Sequence, residues 1–188
     1  MEKEHSAHRL AVDCIYEALV LLMQNKPYRK ITITDITKRA GVSRMAFYRN
    51  YGTKDEILLK RMRDYMLSHE ERMRSPADFL RRENWRMFVE TLLGDPVLQN
   101  IQKAGLTEGV FRLCMEFTVR MQQKLLDWGV CAPEGTLLQY YRVGGLTGSL
   151  LYLADHADRA DVDPATDQIL RIISADVKPG ETPLRSIS

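Results

Sequence analysis

The chain has 188 residues, of which 45% are hydrophobic and 28% charged, and its formal net charge at pH 7 is +2. A chain of this length can bury the core of one large or two small globular domains. No apolar run reaches the roughly 18 residues that a membrane span requires, and the first residues lack the cationic start and apolar run of a signal peptide. These properties exclude a membrane-spanning protein and predict a cytoplasmic one with no membrane partner.

The charge is unevenly distributed along the chain. Residues 1–75 carry 15 basic and 10 acidic side chains, whereas residues 76–188 carry 12 basic and 15 acidic ones. The basic excess is sharpest in residues 29–63, with 10 basic and 3 acidic side chains. A basic module on a mildly acidic body is typical of a protein that binds nucleic-acid phosphates with one end only.

The three cysteines, Cys14, Cys114 and Cys131, are odd in number, widely spaced and in no CxxC pair. This pattern predicts free structural thiols in a reducing compartment. A redox-sensing role for one of them stays open, and Cys131 is the best candidate because it lies in a turn-like segment, residues 129–133.

The four histidines do not predict a metal or catalytic site. His5 and His8 are three residues apart but have no further ligand nearby, and His69 and His156 are expected on the surface. No Ser-His-Asp, Cys-His or paired-carboxylate arrangement and no glycine-rich phosphate loop can be assembled. The sequence therefore predicts a protein that is not an enzyme and holds no metal or cofactor.

The first predicted element is a helix from His8 to Met23, with apolar residues at helical spacing, and Pro27 prevents its continuation. A second helix is predicted after Thr32, which can cap it together with Asp35. Gly41 ends this helix, because glycine tolerates a positive φ, and Ser43 can cap a short third helix.

The third helix is predicted to have an inner and an outer face. Phe47 and Tyr51 recur four residues apart and are expected to point inward. The residues left pointing outward are Arg44, Met45, Tyr48, Arg49 and Asn50. A helix-turn-helix presents its recognition helix to the DNA major groove in this way.

At these residues the chain resembles the TetR family of bacterial regulators. The matching pattern is Ile-Thr-x-x-x-Ile-x-x-x-Ala-Gly-Val-Ser-x-x-x-Phe-Tyr-x-x-Tyr-x-x-Lys-x-Glu-Ile, which runs from Ile31 to Ile57. The resemblance covers roughly residues 8–62; beyond them only length and helical pattern fit. It implies an all-α protein with an N-terminal DNA-binding domain and a C-terminal domain for ligand binding and dimerisation.

Helix N-termini and hydroxyl or ammonium groups favour phosphate contacts by Thr32, Ser43, Tyr48 and Lys54. The resemblance implies that Tyr48 and Lys54 grip the DNA backbone and that Arg44 and its two successors read bases. Arg44 can bind a guanine edge, although a phosphate contact stays open. The predicted DNA-binding residues are Thr32, Thr34, Ser43, Arg44, Met45, Ala46, Tyr48, Arg49, Asn50 and Lys54.

Thr53 to Glu56 form a predicted capping box that opens a long fourth helix, which runs to about Arg74 and ends at Ser75-Pro76. Further helices are predicted at about 79–93, 96–103, 108–128, 133–157 and 164–175, separated by Gly and Pro. The resulting division is a DNA-binding domain (1–53), a connecting helix (54–75), a ligand-binding and dimerisation domain (76–177) and a disordered tail (178–188).

Large apolar side chains mark several helices of the C-terminal half. They predict either ordinary core or, as the resemblance implies, an apolar inducer pocket, which methionine side chains suit because they adapt to irregular ligands. The predicted pocket residues are Trp85, Phe88, Leu92, Phe111, Met115, Met121 and Tyr141.

Three glycines interrupt the predicted helix around residues 140–153, and each costs roughly 1 kcal/mol relative to alanine. Close approach of another backbone would offset this cost, and the resemblance implies a four-helix dimer interface built by the last two long helices. The alternative is that the glycines make room for ligand. The predicted interface residues are Gly144, Gly145, Gly148, Leu151, Tyr152, Ile169 and Ile172.

The resemblance implies a homodimeric transcriptional regulator that binds a double-stranded operator, usually a repressor released by a small apolar or amphipathic inducer. Two alternatives stay open: a coactivator that acts through a protein partner, and a helical interaction module without DNA binding. The identity of the inducer, the operator and the sign of regulation do not follow from the sequence.

Overall fold

A computed structural model describes residues 2–132, 135–156 and 161–174. All regular secondary structure in these residues is helical, which confirms the predicted all-α class. A 3₁₀ turn (Tyr28–Lys30) follows the first helix. The helices are α1 (Glu2–Met23), α2 (Ile33–Ala40), α3 (Arg44–Asn50), α4 (Asp55–Glu71), α5 (Pro76–Leu80), α6 (Arg82–Gly94), α7 (Val97–Ala104), α8 (Thr107–Asp127), α9 (Thr136–Asp155) and α10 (Val162–Ser174).

None of the helices in the described part of the chain is long and apolar enough to cross a membrane. The predicted tail, 178–188, lies outside the described residues, as do the predicted helix limits at 133, 157 and 175.

The end of α4 differs from the sequence prediction. The helix stops at Glu71, and residues 76–80 form the separate short helix α5. The side chain of Ser75 accepts a hydrogen bond from the amide of Asp78 at 3.1 Å, and Pro76 occupies the first turn. A capping serine followed by proline favours a new helix start, because proline has no amide that would need a partner there.

The predicted capping box at the start of α4 is only half formed. The amide of Glu56 donates to Thr53 Oγ1 at 3.4 Å, as expected, but the Glu56 carboxylate accepts from the amide of Gly52 at 2.8 Å. The carboxylate therefore closes the turn that precedes α4 and leaves the reciprocal bond to Thr53 unmade, so this part of the prediction was wrong.

The first three helices and the start of α4 enclose one apolar core. Ile15 and Leu19 of α1, Ile36 of α2, Phe47 of α3 and Leu58 of α4 have no exposed surface. Burial of each such side chain stabilises the fold by roughly 1.5–3 kcal/mol. The core thereby holds α3 against α1 and α2 and fixes the direction of its outer face.

Helix α4 belongs to both halves of the molecule. It packs on α1 in the N-terminal half and on α6, α7 and α8 in the C-terminal half. The contact with α8 is close, because a Cβ added at Gly109 would lie 2.6 Å from Leu59 Cδ2. A shift of α4 against the C-terminal helices therefore also shifts the N-terminal core.

A cluster of polar side chains around Asp95, in the turn between α6 and α7, joins the two halves. The Asp95 carboxylate accepts hydrogen bonds from the hydroxyls of Tyr16 in α1 and Tyr65 in α4, the latter at 2.5 Å. It also pairs with Arg61 at 3.4 Å and accepts from the amide of Val97 at 2.9 Å. Burial and the bond to Asp95 raise the pKa of Tyr65 to about 12.

The C-terminal body is formed by α5 to α10. Helix α10 packs on α6, and α8 packs on α9. Arg82 of α6 pairs with Asp163 at 2.9 Å and with Asp167 at 2.7 Å, which ties α10 to α6 across the surface. The face of α9 away from α8 carries the three glycines of the predicted interface.

Candidate DNA-binding surface and ligand cavity

The N-terminus of α2 forms the predicted capping box. Thr32 Oγ1 accepts from the amide of Asp35 at 3.1 Å, and Asp35 Oδ2 accepts from the amide of Thr32 at 2.9 Å. The ammonium of Lys26 lies 2.6 Å from the same carboxylate oxygen. The bonds from Lys26 and Thr32 lower the pKa of Asp35 to about 2, so the carboxylate stays charged and the box stays closed at neutral pH.

The turn between α2 and α3 is also formed as predicted. Gly41 adopts the left-handed conformation (φ 67°), which glycine enters without steric cost, and its amide and that of Val42 donate to the carbonyl of Thr37. Ser43 Oγ accepts from the amide of Ala46 at 3.0 Å. These local bonds set the angle at which α3 leaves α2.

Helix α3 has the two faces that its sequence predicts. Phe47 and Tyr51 are buried, with ring centroids 5.8 Å apart. Met45 is 73% exposed and Tyr48 48% exposed. Arg44 and Arg49 are exposed as well, Ala46 is half-buried, and Thr32, Thr34 and Ser43 lie exposed at the neighbouring helix starts.

Asn50 does not point outward, so the prediction was wrong at this residue. Its Nδ2 donates to the carbonyl of Ala46 at 2.7 Å, and its Oδ1 is buried. The amide group folds back on the last turn of α3 because an asparagine there can bond the carbonyl four residues earlier. It contributes to the end of the helix and presents no free edge to solvent.

Lys54 is held by the protein itself. It is half-buried at the N-cap of α4, and its ammonium donates to the carbonyls of Tyr28 at 2.8 Å and Ile31 at 2.9 Å. The ammonium also lies 4.3 Å from the centroid of the Tyr28 ring, whose hydroxyl donates to Asp55. Lys54 thus fastens the 3₁₀ turn to α4, and a phosphate contact by its third donor stays a prediction.

Further basic residues lie exposed beside this surface and were not among the predicted contacts. They belong to the 3₁₀ turn and to the last turn of α2. Their signal in the sequence was the charge excess of residues 29–63, which does not single out individual side chains. These residues are Arg29, Lys30, Lys38 and Arg39.

A capped helix, a left-handed glycine turn and a second short helix with an exposed basic face define a helix-turn-helix DNA-binding protein. Residues 15–60 match the model of the family described as "Bacterial regulatory proteins, tetR family". The N-terminal segment is therefore similar to the helix-turn-helix domain of the TetR family of DNA-binding regulators.

Two solved structures are similar to the chain over most of its length. One is FadR of Thermus thermophilus, a TetR-family transcriptional repressor in complex with lauroyl-CoA, with 18% identity, 92% of this chain and 98% of that chain covered, and a TM-score of 0.49. The other is a TetR transcriptional regulator from Rhodococcus sp. RHA1, with 16% identity, 89% and 95% coverage, and a TM-score of 0.46. No curated protein matches the sequence.

The body contains an apolar cavity of about 100 Å³ between α5, α6, α8, α9 and α10. Its walls are mostly aliphatic and aromatic, with a few polar side chains. The lining residues are Phe79, Trp85, Phe117, Thr118, Met121, Gln122, Leu125, Cys131, Arg142, Leu146, Ser149, Ile169, Ile172 and Ile173.

Two of the seven predicted pocket residues, Trp85 and Met121, line this cavity, and five do not. Phe88 and Leu92 are buried in the core. Phe111 and Met115 are half-buried against that core, and Tyr141 is 79% exposed. Helical spacing shows which residues form the apolar face of a helix. It does not show which of these residues line a cavity and which are packed in the core, because that depends on how the helices pack against one another.

Phe79 was not among the predicted pocket residues, because α5 was not predicted from the sequence. The Trp85 indole N–H donates to the carbonyl of Phe79 at 2.7 Å, which anchors α5 to the start of α6. This bond fixes both aromatic rings at one end of the cavity. A short helix of five residues carries too little periodicity to be recognised from its apolar pattern alone.

The prediction of a surface position for His69 was wrong. The residue has no exposed surface and lies on the buried face of α4 with Met62, Met66 and the following Met73. Burial, and secondarily the charge of Arg72, lowers the pKa of His69 to about 3, so its imidazole is neutral at neutral pH. Met62, Met66, His69 and Met73 recur at intervals of four, three and four residues, which is the spacing of one buried helix face. The charged residues between them obscured this pattern in the sequence.

The glycines of α9 serve no close packing within the described residues. Gly144, Gly145 and Gly148 are exposed, and a Cβ added at any of them would meet no atom within 4 Å. They do not line this cavity, but Gly145 and Gly148 line a second, more open groove of about 640 Å³ together with Tyr152 and Ile172. The alternative that the glycines make room for a ligand therefore stays open.

The other predicted interface residues differ in exposure. Tyr152 is 62% exposed and Ile172 57% exposed, whereas Leu151 is half-buried. Ile169 is buried and lines the cavity together with Ile172. The structure therefore assigns Ile169 to the interior of its own chain, because α10 turns this position toward α6 and α8.

Cys14, Cys114 and Cys131 form no disulfide bond, as predicted. Cys114 is buried, and burial raises the pKa of its thiol to about 11, which keeps it protonated and unreactive. Cys14 and Cys131 are half-buried, and Cys131 borders the cavity. A redox role for Cys131 stays a prediction.

Proposed function

We propose that the chain is a ligand-responsive regulator that binds its operator as a homodimer and releases it when a small, mostly apolar molecule enters the cavity of the body. The proposal rests chiefly on α4. This helix starts in the DNA-binding core and ends with Met66 and His69 buried against the helices around the cavity. A ligand that displaces the end of α4 also displaces α3.

In this proposal the DNA contacts come from the exposed face of α3 and from the starts of α2 and α3. Thr32, Thr34, Ser43 and Tyr48 would hold phosphates and Arg44 would read bases, with Met45 and Ala46 in apolar contact. The domain limits 1–53, 54–75 and 76–177 follow from the same division, with α4 as the connection.

The homodimer is proposed to form through the exposed face of α9 with Tyr152 and Ile172. Two recognition helices can enter successive major grooves only if they lie about 34–36 Å apart. A ligand that changes this spacing needs a coupling free energy of only about 1–3 kcal/mol to weaken operator binding 5- to 150-fold. Repression is the expected sign of regulation, because the resemblance to the TetR family implies it. Release of the operator by a ligand would then induce transcription.

Selection of bound sequences from random duplex DNA tests this proposal. We expect two inverted half-sites whose centres lie about ten base pairs apart, and two chains per site by analytical ultracentrifugation. The selected DNA, labelled with a fluorophore, then reports release by small apolar molecules through its anisotropy. A single half-site bound by one chain would contradict the dimer, and an operator affinity that no such molecule changes would contradict the ligand response.

A further inference from the structure

The buried imidazole of His69 lies in an aromatic layer that gives it no polar partner. Its ring is stacked on Phe88 with centroids 4.4 Å apart and meets Trp85 edge-on at 4.4 Å. Neither ring nitrogen has a hydrogen-bond partner among the described residues. A buried nitrogen without a partner is costly, and most buried polar groups in proteins are therefore paired.

The aromatic neighbours of His69 cannot satisfy it, and Arg72, whose charge lowers the pKa of His69, makes no hydrogen bond to the ring. The Trp85 indole N–H is already bonded to the carbonyl of Phe79, and the phenylalanine rings offer no donor or acceptor. A water molecule between such rings would also lack the roughly two to four polar partners that it needs. The imidazole of His69 therefore has a donor and an acceptor that no described residue uses.

This position adjoins the cavity. Trp85 and Phe117 line the cavity, and both rings also pack on His69, with the Phe117 centroid at 6.0 Å. The imidazole therefore lies one layer of side chains behind the cavity wall. A ligand that moves these two rings apart reaches it, and the residue that it reaches belongs to α4.

We propose that His69 hydrogen-bonds the polar group of the ligand, and that this ligand is a small neutral molecule of about one aromatic ring with a hydroxyl group. The inference rests on the proposed ligand response and names its ligand class. The cavity of about 100 Å³ is of the order of the roughly 150 Å³ cavity that binds benzene in an engineered protein. A neutral imidazole can both donate to and accept from a hydroxyl group, and an aromatic ring suits walls that are mostly apolar.

Phenol and toluene are the probes that test this inference, because they have nearly the same shape and only phenol carries a hydroxyl group. Their dissociation constants are measured by titration calorimetry with the full chain and with the His69→Leu, His69→Gln and His8→Leu variants. We expect phenol to bind wild type at millimolar concentration or tighter. The ratio of the phenol to the toluene constant should rise at least tenfold in His69→Leu.

The other variants separate a ligand contact from a packing role. His69→Gln keeps a donor and an acceptor and should restore part of the discrimination, whereas His8→Leu changes an exposed residue of α1 and should leave it unchanged. His69→Leu should also unfold at a higher temperature than wild type when empty, because it removes an unpaired buried polar group. The ¹⁵N resonances of the His69 ring should shift with phenol and not with toluene.

The inference is overturned if phenol does not bind wild type at 10 mM (roughly the weakest affinity of interest), or if its preference over toluene is the same in His69→Leu. Operator binding by each variant without ligand is measured in parallel. If one of these two results is obtained while the variants still bind the operator, only the proposed role of His69 is contradicted and the DNA-binding function is not. If wild type does not bind an operator at all, the proposed function is contradicted instead.

Discussion

The outer face of α3 carries two kinds of polar side chain that reach DNA in different ways. Tyr48 presents a hydroxyl from a ring that packs edge-on against Phe47, with centroids 5.4 Å apart, so its position is set by the core. Arg44 lies in the first turn, where a recognition helix meets base edges, and it has no such support. A fixed hydroxyl suits a backbone phosphate, and a long guanidinium can follow a base edge.

We predict that Tyr48→Phe weakens binding to all DNA sequences by a similar factor, because it removes a backbone contact that carries no sequence information.

Arg44→Ala should instead relax the preference at one position of each half-site, by about 1–3 kcal/mol of discrimination. Binding selections with both variants measure this. An unchanged sequence preference in Arg44→Ala would assign Arg44 to a phosphate.

Lys54→Met tests whether the ammonium acts on the fold or on DNA. The variant keeps the length of the side chain but loses two charge-assisted bonds to carbonyls, so the free energy of unfolding should fall by about 1.5–3 kcal/mol in urea titrations. Because the third donor of Lys54 is predicted to hold a phosphate, the slope of DNA affinity against salt should also flatten by about one unit. A loss of stability with an unchanged slope would mean that Lys54 acts on the fold alone.

His69 gives the stability of the protein a pH dependence. Its pKa is about 3 in the folded protein and about 6.5 in an unfolded chain. The unfolded state therefore binds more protons between these values, and stability falls as the pH drops below about 6.5. Between pH 7 and pH 5 wild type should lose about 2 kcal/mol more than His69→Leu, since one pKa unit is about 1.4 kcal/mol. Equal losses in urea titrations, or the same change in His8→Leu, would contradict this.

At the scale of elements, the contact of α4 with α8 is the closest link between the two halves that involves a glycine. Gly109 lets α8 approach Leu59, whose Cδ atoms would lie 2.6 and 2.9 Å from an added Cβ. The polar cluster at Asp95 adds hydrogen bonds from α1 and α4 to the turn before α7. Together these contacts make α4 follow the body rather than move independently of it.

Gly109→Ala should displace Leu59 and strain the α4–α8 contact. We expect a loss of about 1 kcal/mol in the free energy of unfolding, because overpacking costs about 1–3 kcal/mol and the better helix propensity of alanine returns up to about 1 kcal/mol. In a double-mutant cycle, Leu59→Ala should remove this penalty. Gly94→Ala, where an added Cβ meets nothing within 4 Å, is the control and should lose no stability. Additive effects of the two changes would place the strain elsewhere.

At the scale of the whole molecule, the proposed dimer would form on a face of α9 that a single chain leaves uncovered. The glycines of α9 lower the stability of their own helix by roughly 1 kcal/mol each, and no contact within the described residues offsets this. Exposed Tyr152 and Ile172 add apolar surface beside them. A second copy of the chain on this face would account for both properties.

Gly148→Leu should keep the chain helical by circular dichroism, since leucine is the better helix former and nothing in the described part of the chain lies within 4 Å of its Cβ position. It should sediment as a monomer and lose operator affinity, because one helix-turn-helix makes half of the contacts. Gly94→Leu is the matched control and should remain dimeric. A Gly148→Leu variant that stays dimeric and binds the operator normally would contradict the proposed interface.

The sequence by itself determined the parts of this protein whose interactions are local. The caps at Thr32 and Ser43, the turn at Gly41 and the inward side of α3 depend on partners three to five residues away, so short-range pattern and backbone preference were sufficient. The family resemblance rests on the same segment. These local interactions also explain why the caps, the turn and the two faces of the helix-turn-helix were largely predicted.

Only the tertiary structure decided what depends on packing between distant segments. The burial of His69, the bonds of Lys54 to carbonyls 23 and 26 residues away, and the bond of Asp95 to Tyr16 across 79 residues have no local signature. The cavity likewise forms where five helices pack without filling the space between them. The apolar periodicity of a single helix shows which of its faces is apolar but not which residues that face contacts.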